Sequence, residues 1–130
     1  MTSNLKAREI MTFIPSVIDY ETAIRFYLEI GFAVDFRSDS IAVLNIDGCR
    51  FFLQNNSNNW IENNFMMLLE VEDLDDWWTR LDGLNLTERY KGVSLRPPEV
   101  YPWGNREIHL IDPCGVLWHI SATKPPLANI

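Results

Sequence analysis

The chain has 130 residues, 47% hydrophobic, 22% charged and 12% aromatic, which is the composition of a globular domain and excludes a disordered chain. Eighteen Asp and Glu against eleven Lys and Arg leave a formal net charge of −7, so a phosphate backbone is a poor partner and no nucleic acid is expected. No apolar stretch approaches the roughly 20 residues that span a bilayer, Met1 to Ile10 carries Lys6, Arg8 and Glu9 ahead of any apolar run, and two cysteines are too few for a disulfide framework; a reduced, cytoplasmic protein without a membrane partner is expected.

Taken in chain order, Ile10 to Ile18 reads as a strand ending in Val17-Ile18-Asp19. Asp19 is a candidate N-cap, and Ala23, Phe26, Tyr27 and Ile30 then recur at helical spacing until Gly31 stops the helix. Strand-like runs follow at Phe32–Arg37 and Ile41–Ile46, and Asp47-Gly48 signals a hairpin into Arg50-Phe51-Phe52-Leu53. Residues 55–64 are rich in asparagine, whose side chain competes with regular backbone hydrogen bonding, so they read as a linker. Trp60 within it either pins the linker down or faces a ligand.

The second half repeats the first. A strand from Phe65 to Val71 ends in Val71-Glu72-Asp73, fifty-four residues after the first such entry, and Leu74, Trp77, Trp78 and Leu81 form a second helical stripe, read as core. Gly83 is the expected stop. Thr87–Val100, interrupted by Pro97-Pro98, is expected as a long loop or an edge strand, and the last hairpin joins Glu107–Ile111 to Val116–Ser121 through Asp112-Pro113-Cys114-Gly115. The expected class is α+β, one domain of two strand–helix–three-strand modules: module 1 over about 8–54, the linker 55–64, and module 2 over 65–123.

Chemistry-bearing motifs are sparse. There is no Gly-x-Ser-x-Gly, no phosphate-binding loop and no dinucleotide glycine pattern, and Cys49 and Cys114 read as incidental thiols beside turns. Glu107 and His109 share one side of a strand and read either as an acid–base pair or, as expected here, as a surface pair. The acidic run Glu70, Glu72, Asp73, Asp75, Asp76 marks a helix start, where carboxylates complement the macrodipole.

The duplicated module with its Val-x-Asp helix entry resembles the glyoxalase/bleomycin-resistance/extradiol-dioxygenase superfamily, the vicinal oxygen chelate fold. The stretch Tyr101-Pro102-Trp103-Gly104-Asn105-Arg106-Glu107 followed by Asp112-Pro113-Cys114-Gly115 and His119 is similar to the bleomycin-resistance proteins in particular, as are Gly31-Phe32, Asp35-Phe36 and Asn63-Asn64-Phe65. The resemblance implies paired βαβββ modules forming a curved mixed sheet around a cleft, shared between two subunits of a homodimer. In enzymes of the superfamily it implies a divalent metal held by the first and last strands of each module.

Seven residues before each helix-entry aspartate and four after each turn glycine, the resemblance puts the metal positions at Thr12, Phe52, Met66 and His119. Phenylalanine has no donor, methionine prefers soft metals and a neutral hydroxyl is a poor ligand, so no metal, no cofactor and no catalytic residue is expected. Strand alternation assigns Thr12, Ile14, Ser16, Arg50, Phe52, Gln54, Met66, Leu68, Glu70, Leu117, His119 and Ser121 to the cleft, and the residues between them to the helix side. The expected function is non-catalytic sequestration of a planar, cationic small molecule, a bleomycin-type antibiotic or a metabolite. Phe36, Phe52, Trp60, Met66, Glu70, Trp103 and His119 are the candidate ligand-binding residues, Phe36 equally readable as core. The alternative is a metal-dependent glyoxalase- or dioxygenase-type enzyme with non-standard ligands.

Overall fold

The computed structural model describes residues 5–57 and 65–122, so Trp60 and most of the asparagine-rich linker lie outside the described residues. Module 1 runs β1 (Phe13–Pro15), α1 (Tyr20–Ile30), β2 (Ala33–Arg37), β3 (Ile41–Ile46) and β4 (Cys49–Gln54). Module 2 runs β5 (Met66–Glu70), α2 (Leu74–Gly83), α3 (Leu86–Arg89), β6 (Ser94–Val100), β7 (Arg106–Ile111) and β8 (Leu117–Ala122). The α+β class and the duplicated unit are those expected. The eight strands divide into two four-stranded mixed sheets, ordered β1-β4-β3-β2 and β5-β8-β7-β6, in which the first strand of each module pairs parallel to the last.

The helices begin where the sequence supplies an acceptor. Asp19 accepts from the Thr22 N–H at 3.0 Å and Asp73 from the Asp76 N–H at 3.1 Å, each satisfying a first-turn donor. Gly31, at φ 129°, closes α1 in a conformation that a side chain resists. Gly83 instead remains helical; Leu84 caps α2 and Asn85 takes the left-handed turn at φ 53°. Thr87–Val100 divides into a one-turn helix and the edge strand β6, whose ladder breaks between Arg96 and Glu99 where Pro97 and Pro98 offer no N–H.

The helical stripes fill one core across both modules. Ala23, Phe26 and Tyr27 of α1 and Leu81 of α2 are fully buried, with Trp77 and Trp78 half-buried against them. Tyr27, Phe32, Phe51 and Trp118 meet edge to face or, for Phe51 and Trp118, tilted, with ring centroids 5.0–6.1 Å apart, where module 1 joins module 2. Beneath them the buried Asp112 carboxylate accepts from the Cys114 and Val116 N–H groups at 2.9 and 3.0 Å, from Trp118 Nε1 at 3.0 Å and from the Tyr27 hydroxyl. The Asp-Pro-x-Gly turn thereby fastens the last hairpin to α1.

Two expectations about β1 fail. The strand is Phe13–Pro15, shorter than Ile10–Ile18, and its faces are reversed: Ile14 and Ser16 are buried, while Phe13 stands on the face assigned to Thr12. Phe13 pairs with Phe52 and Leu68 with His119, so the strands repeat at fifty-five residues although the helix caps repeat at fifty-four. The extra residue lies where the chain leaves β1, and Val17 there has φ 64°. Counting back from Asp19 crosses that kink and lands one residue out, which in a strand means the wrong face.

Candidate functional site

The site is built by the hairpin β7–β8. Its register sets His109 opposite His119 and Glu107 opposite Ser121, and side chains two apart on a strand share a face. Glu107, His109 and His119 therefore converge on the side of the sheet turned away from the helices. Glu107 Oε1 lies 2.9 Å from both His109 Nε2 and His119 Nδ1, the imidazole N–H groups donating to it. Trp103 Nε1–H donates to the other carboxylate oxygen at 3.0 Å. His119 Nε2 is 3.2 Å from Met66 Sδ.

A turn between β6 and β7 roofs this cluster. The Tyr101 carbonyl accepts from the Gly104 N–H at 2.8 Å, with Gly104 at φ 100°, and so folds the segment back. Tyr101 stacks on His109 at 4.2 Å and on Trp103 at 5.0 Å, while His119 meets Trp103 edge-on at 6.2 Å. The roof leaves Glu107 only 1% exposed, although Trp103 is itself 57% exposed. Glu107 and His109 are thus not the surface pair expected from alternation. Burial would push the Glu107 carboxyl up, but the hydrogen bonds from His119, Trp103 and His109 outweigh it and hold it below the usual carboxylate range. The result is a shielded anion beneath flat rings. One row along the sheet, Glu99, Glu107, Ser121 and Glu70 lie in register, an acidic line across module 2.

On the equivalent face of module 1 one row is apolar, with Asn45 and Arg50 on one side of it and Gln54 on the other. Phe13, Phe52, Val43 and Phe36 lie in register across its four strands, and Phe13 stacks on Phe52 at 4.5 Å. Phe13 and Phe36 are 47% and 55% exposed, so Phe36 is a face residue and not core. Between the modules, a hollow of about 130 Å³ is lined by residues that include Phe32, Arg50, Met67, Leu68 and Trp118. That is below the roughly 300–1,000 Å³ of a drug-sized site, so this hollow by itself does not enclose such a guest.

Of the expected ligand-binding residues, the structure brings Met66, Trp103 and His119 together; Glu70 lies on the same face, and Phe36 and Phe52 lie on the other sheet. Sequence reasoning missed Phe13, hidden by the kink at Val17, and Tyr101, Glu107 and His109, whose burial depends on the folded-back turn. The signal for the histidines was present, because His109 and His119 are equidistant from Cys114, the midpoint of the register of this hairpin.

The metal positions of the superfamily's enzymes do not fit the residues present. By the fifty-five-residue strand repeat the first position of module 1 falls on Met11, and β4 offers Phe52; in module 2, β5 offers Met66, and only His119 brings a nitrogen donor.

Comparison with known proteins agrees with this architecture. The sequence profile of the Glyoxalase/Bleomycin resistance protein/Dioxygenase superfamily matches residues 13–120. Among solved structures, the fold is similar to a bleomycin resistance determinant encoded on the transposon Tn5, at 20% identity and a TM-score of 0.78, covering 91% of this chain and 99% of that one. It is also similar to the bleomycin-binding protein of bleomycin-producing Streptomyces verticillus complexed with copper(II)-bleomycin (21% identity, TM-score 0.72, covering 91% and 98%). A lactoylglutathione lyase from Agrobacterium tumefaciens matches at 16% identity and a TM-score of 0.66, covering 94% and 98%. No curated protein sequence matches the chain.

Proposed function

Because the chain belongs to the glyoxalase/bleomycin resistance protein/dioxygenase superfamily, whose solved members include both binding proteins and enzymes, we propose that it is a non-catalytic binding protein that sequesters a planar, cationic small molecule of the bleomycin type. The observation that carries this reading is the stack of Tyr101, Trp103 and His109 over a shielded Glu107 carboxylate. Flat rings supply stacking surface, and the buried anion with the acidic row beside it supplies the attraction for a positive group. The aromatic face of module 1 supplies the apolar counterpart. An enzyme with non-standard metal ligands is the weaker reading, because three of the four superfamily ligand positions lack a suitable donor.

The same reading includes a homodimer. Phe13, Phe36, Leu68 and Met66 are each at least two-fifths exposed on the open faces, apolar surface that a second copy would cover while closing a cleft around the guest. Light scattering is expected to give about twice the 15.2 kDa chain mass. The function is tested by titrating the protein with a bleomycin-type glycopeptide and following tryptophan fluorescence. Saturable quenching at micromolar ligand or below is expected; an unchanged signal at high micromolar ligand refutes binding of this antibiotic class.

A further inference from the structure

We propose that Glu107, His109 and His119 form a three-donor site for a divalent transition metal of the zinc class, on the open face of module 2. Glu107 Oε1, His109 Nε2 and His119 Nδ1 lie within 4.8 Å of one another. Both nitrogens are 2.9 Å from the oxygen. Zinc bonds of about 2.0–2.1 Å set neighbouring donors of a tetrahedral site roughly 3.3 Å apart, so each nitrogen–oxygen pair opens by about 0.4 Å, while the two nitrogens, within 4.8 Å of each other, close by up to about 1.5 Å as the rings turn toward the ion. Two imidazoles and a carboxylate are a donor set that three-ligand zinc sites use, with the fourth position left for an exogenous group.

The surroundings prepare each donor. Trp103 Nε1–H holds Glu107 Oε2, leaving Oε1 turned toward the histidines. When His119 Nδ1 offers its lone pair to the ion, its N–H resides on Nε2, which faces Met66 Sδ at 3.2 Å. His109 makes the same exchange between its own two nitrogens, so each neutral ring keeps one proton throughout. The carboxylate, stripped of water beneath Tyr101 and Trp103, interacts more strongly with a cation than an exposed one would. This site differs from the superfamily's: it lies within one sheet, takes Glu107 and His109 from the penultimate strand, and shares only His119 with the positions expected from the resemblance. It draws on the same Glu107 and His109 as the binding reading above, but the ion needs no guest, so metal titration and antibiotic titration fail separately.

The test uses the untagged full chain, stripped with a chelator, dialysed, and titrated with Zn²⁺ against a chromogenic competitor, with Co²⁺ as a spectroscopic probe. One ion per chain is expected, with a Co²⁺ visible spectrum of a four-coordinate site. H109Q and H119Q should each weaken binding at least about tenfold, and Trp103→Phe, which removes the outer hydrogen bond, about tenfold. Thermal melts of the metal-free variants confirm that the fold survives the histidine changes. Absence of saturable one-to-one binding, or equal affinity in the H109Q/H119Q double variant, would overturn the proposal.

Discussion

The two modules share a blueprint and differ in what they expose. On the side that meets the helices, matching strands carry the same kind of residue: Ile14 and Leu53 in module 1, Leu69 and Ile120 in module 2, all buried. On the far side, the row Phe13, Phe52, Val43, Phe36 of module 1 becomes Leu68, His119, His109, Arg96 in module 2. The fold constrains only the core face. The open face was therefore free to diverge, its central row aromatic in one copy and histidine-bearing in the other.

The hairpin before each last strand sharpens this comparison, and it carries the largest expected effect. In module 1 it is Asp47-Gly48, both at positive φ and exposed, a two-residue turn whose geometry is its whole role. In module 2 the buried Asp112 satisfies four donors, one of them from α1 of the other module. Asp112→Ala orphans the Trp118 and Tyr27 donors and two backbone N–H groups, and should cost more than about 3 kcal/mol in urea unfolding. Asp47→Ala should cost about 1 kcal/mol, the strain of a left-handed alanine. Equal losses would mean that the turn of module 2 is no more than a turn.

Much of this difference was legible in the sequence. Asp19 and Asp73, the two helical stripes, Asp47-Gly48 and Asp112-Pro113-Cys114-Gly115 each place an element through local chemistry, and those elements stand where that chemistry puts them. What failed depended on contacts far along the chain or on rare conformations. A β-branched residue at φ 64° runs against its own preference, so nothing in Val17 announces the kink that reverses β1. Glu107 looked like a surface residue because the rings that bury it belong to a turn whose path only the folded chain reveals. The four residues of α3 are too few to show a helical period.

The ligand titration extends to the two faces, with a smaller effect. Under the binding reading, Trp103→Ala should weaken a bleomycin-type ligand by about tenfold, and Phe36→Ala by less, because Phe36 offers a ring without a neighbouring anion. Phe36 is more than half exposed, so its change should not lower the melting temperature appreciably, whereas Trp103→Ala also takes a donor from the buried Glu107 carboxylate and should lower it by a few degrees. A greater loss from Phe36→Ala would reverse the roles of the faces.

The smallest effect probes how the modules are joined. The end of α1 supplies only acceptors: Arg80 of α2 donates to the Glu29 and Ile30 carbonyls at 2.7 and 3.2 Å, and Arg89 and Tyr90 donate to the Glu29 carboxylate. The hydrogen bond from Arg89, then that from Tyr90, holds the Glu29 carboxyl below its ordinary 4.5. A depressed carboxyl stabilises the fold fully above its unfolded value, and that contribution disappears as pH falls through the depressed one. Glu29 remains partly exposed and its partner Arg89 more so, which screens the pair. Glu29→Gln should therefore lower the melting temperature at pH 7 by no more than about 2 °C and should flatten its decline below pH 4.5. A decline as steep as that of the unaltered chain would place the acid sensitivity elsewhere and leave the joint to the Tyr27–Asp112 bond, the Arg80 hydrogen bonds and the aromatic core.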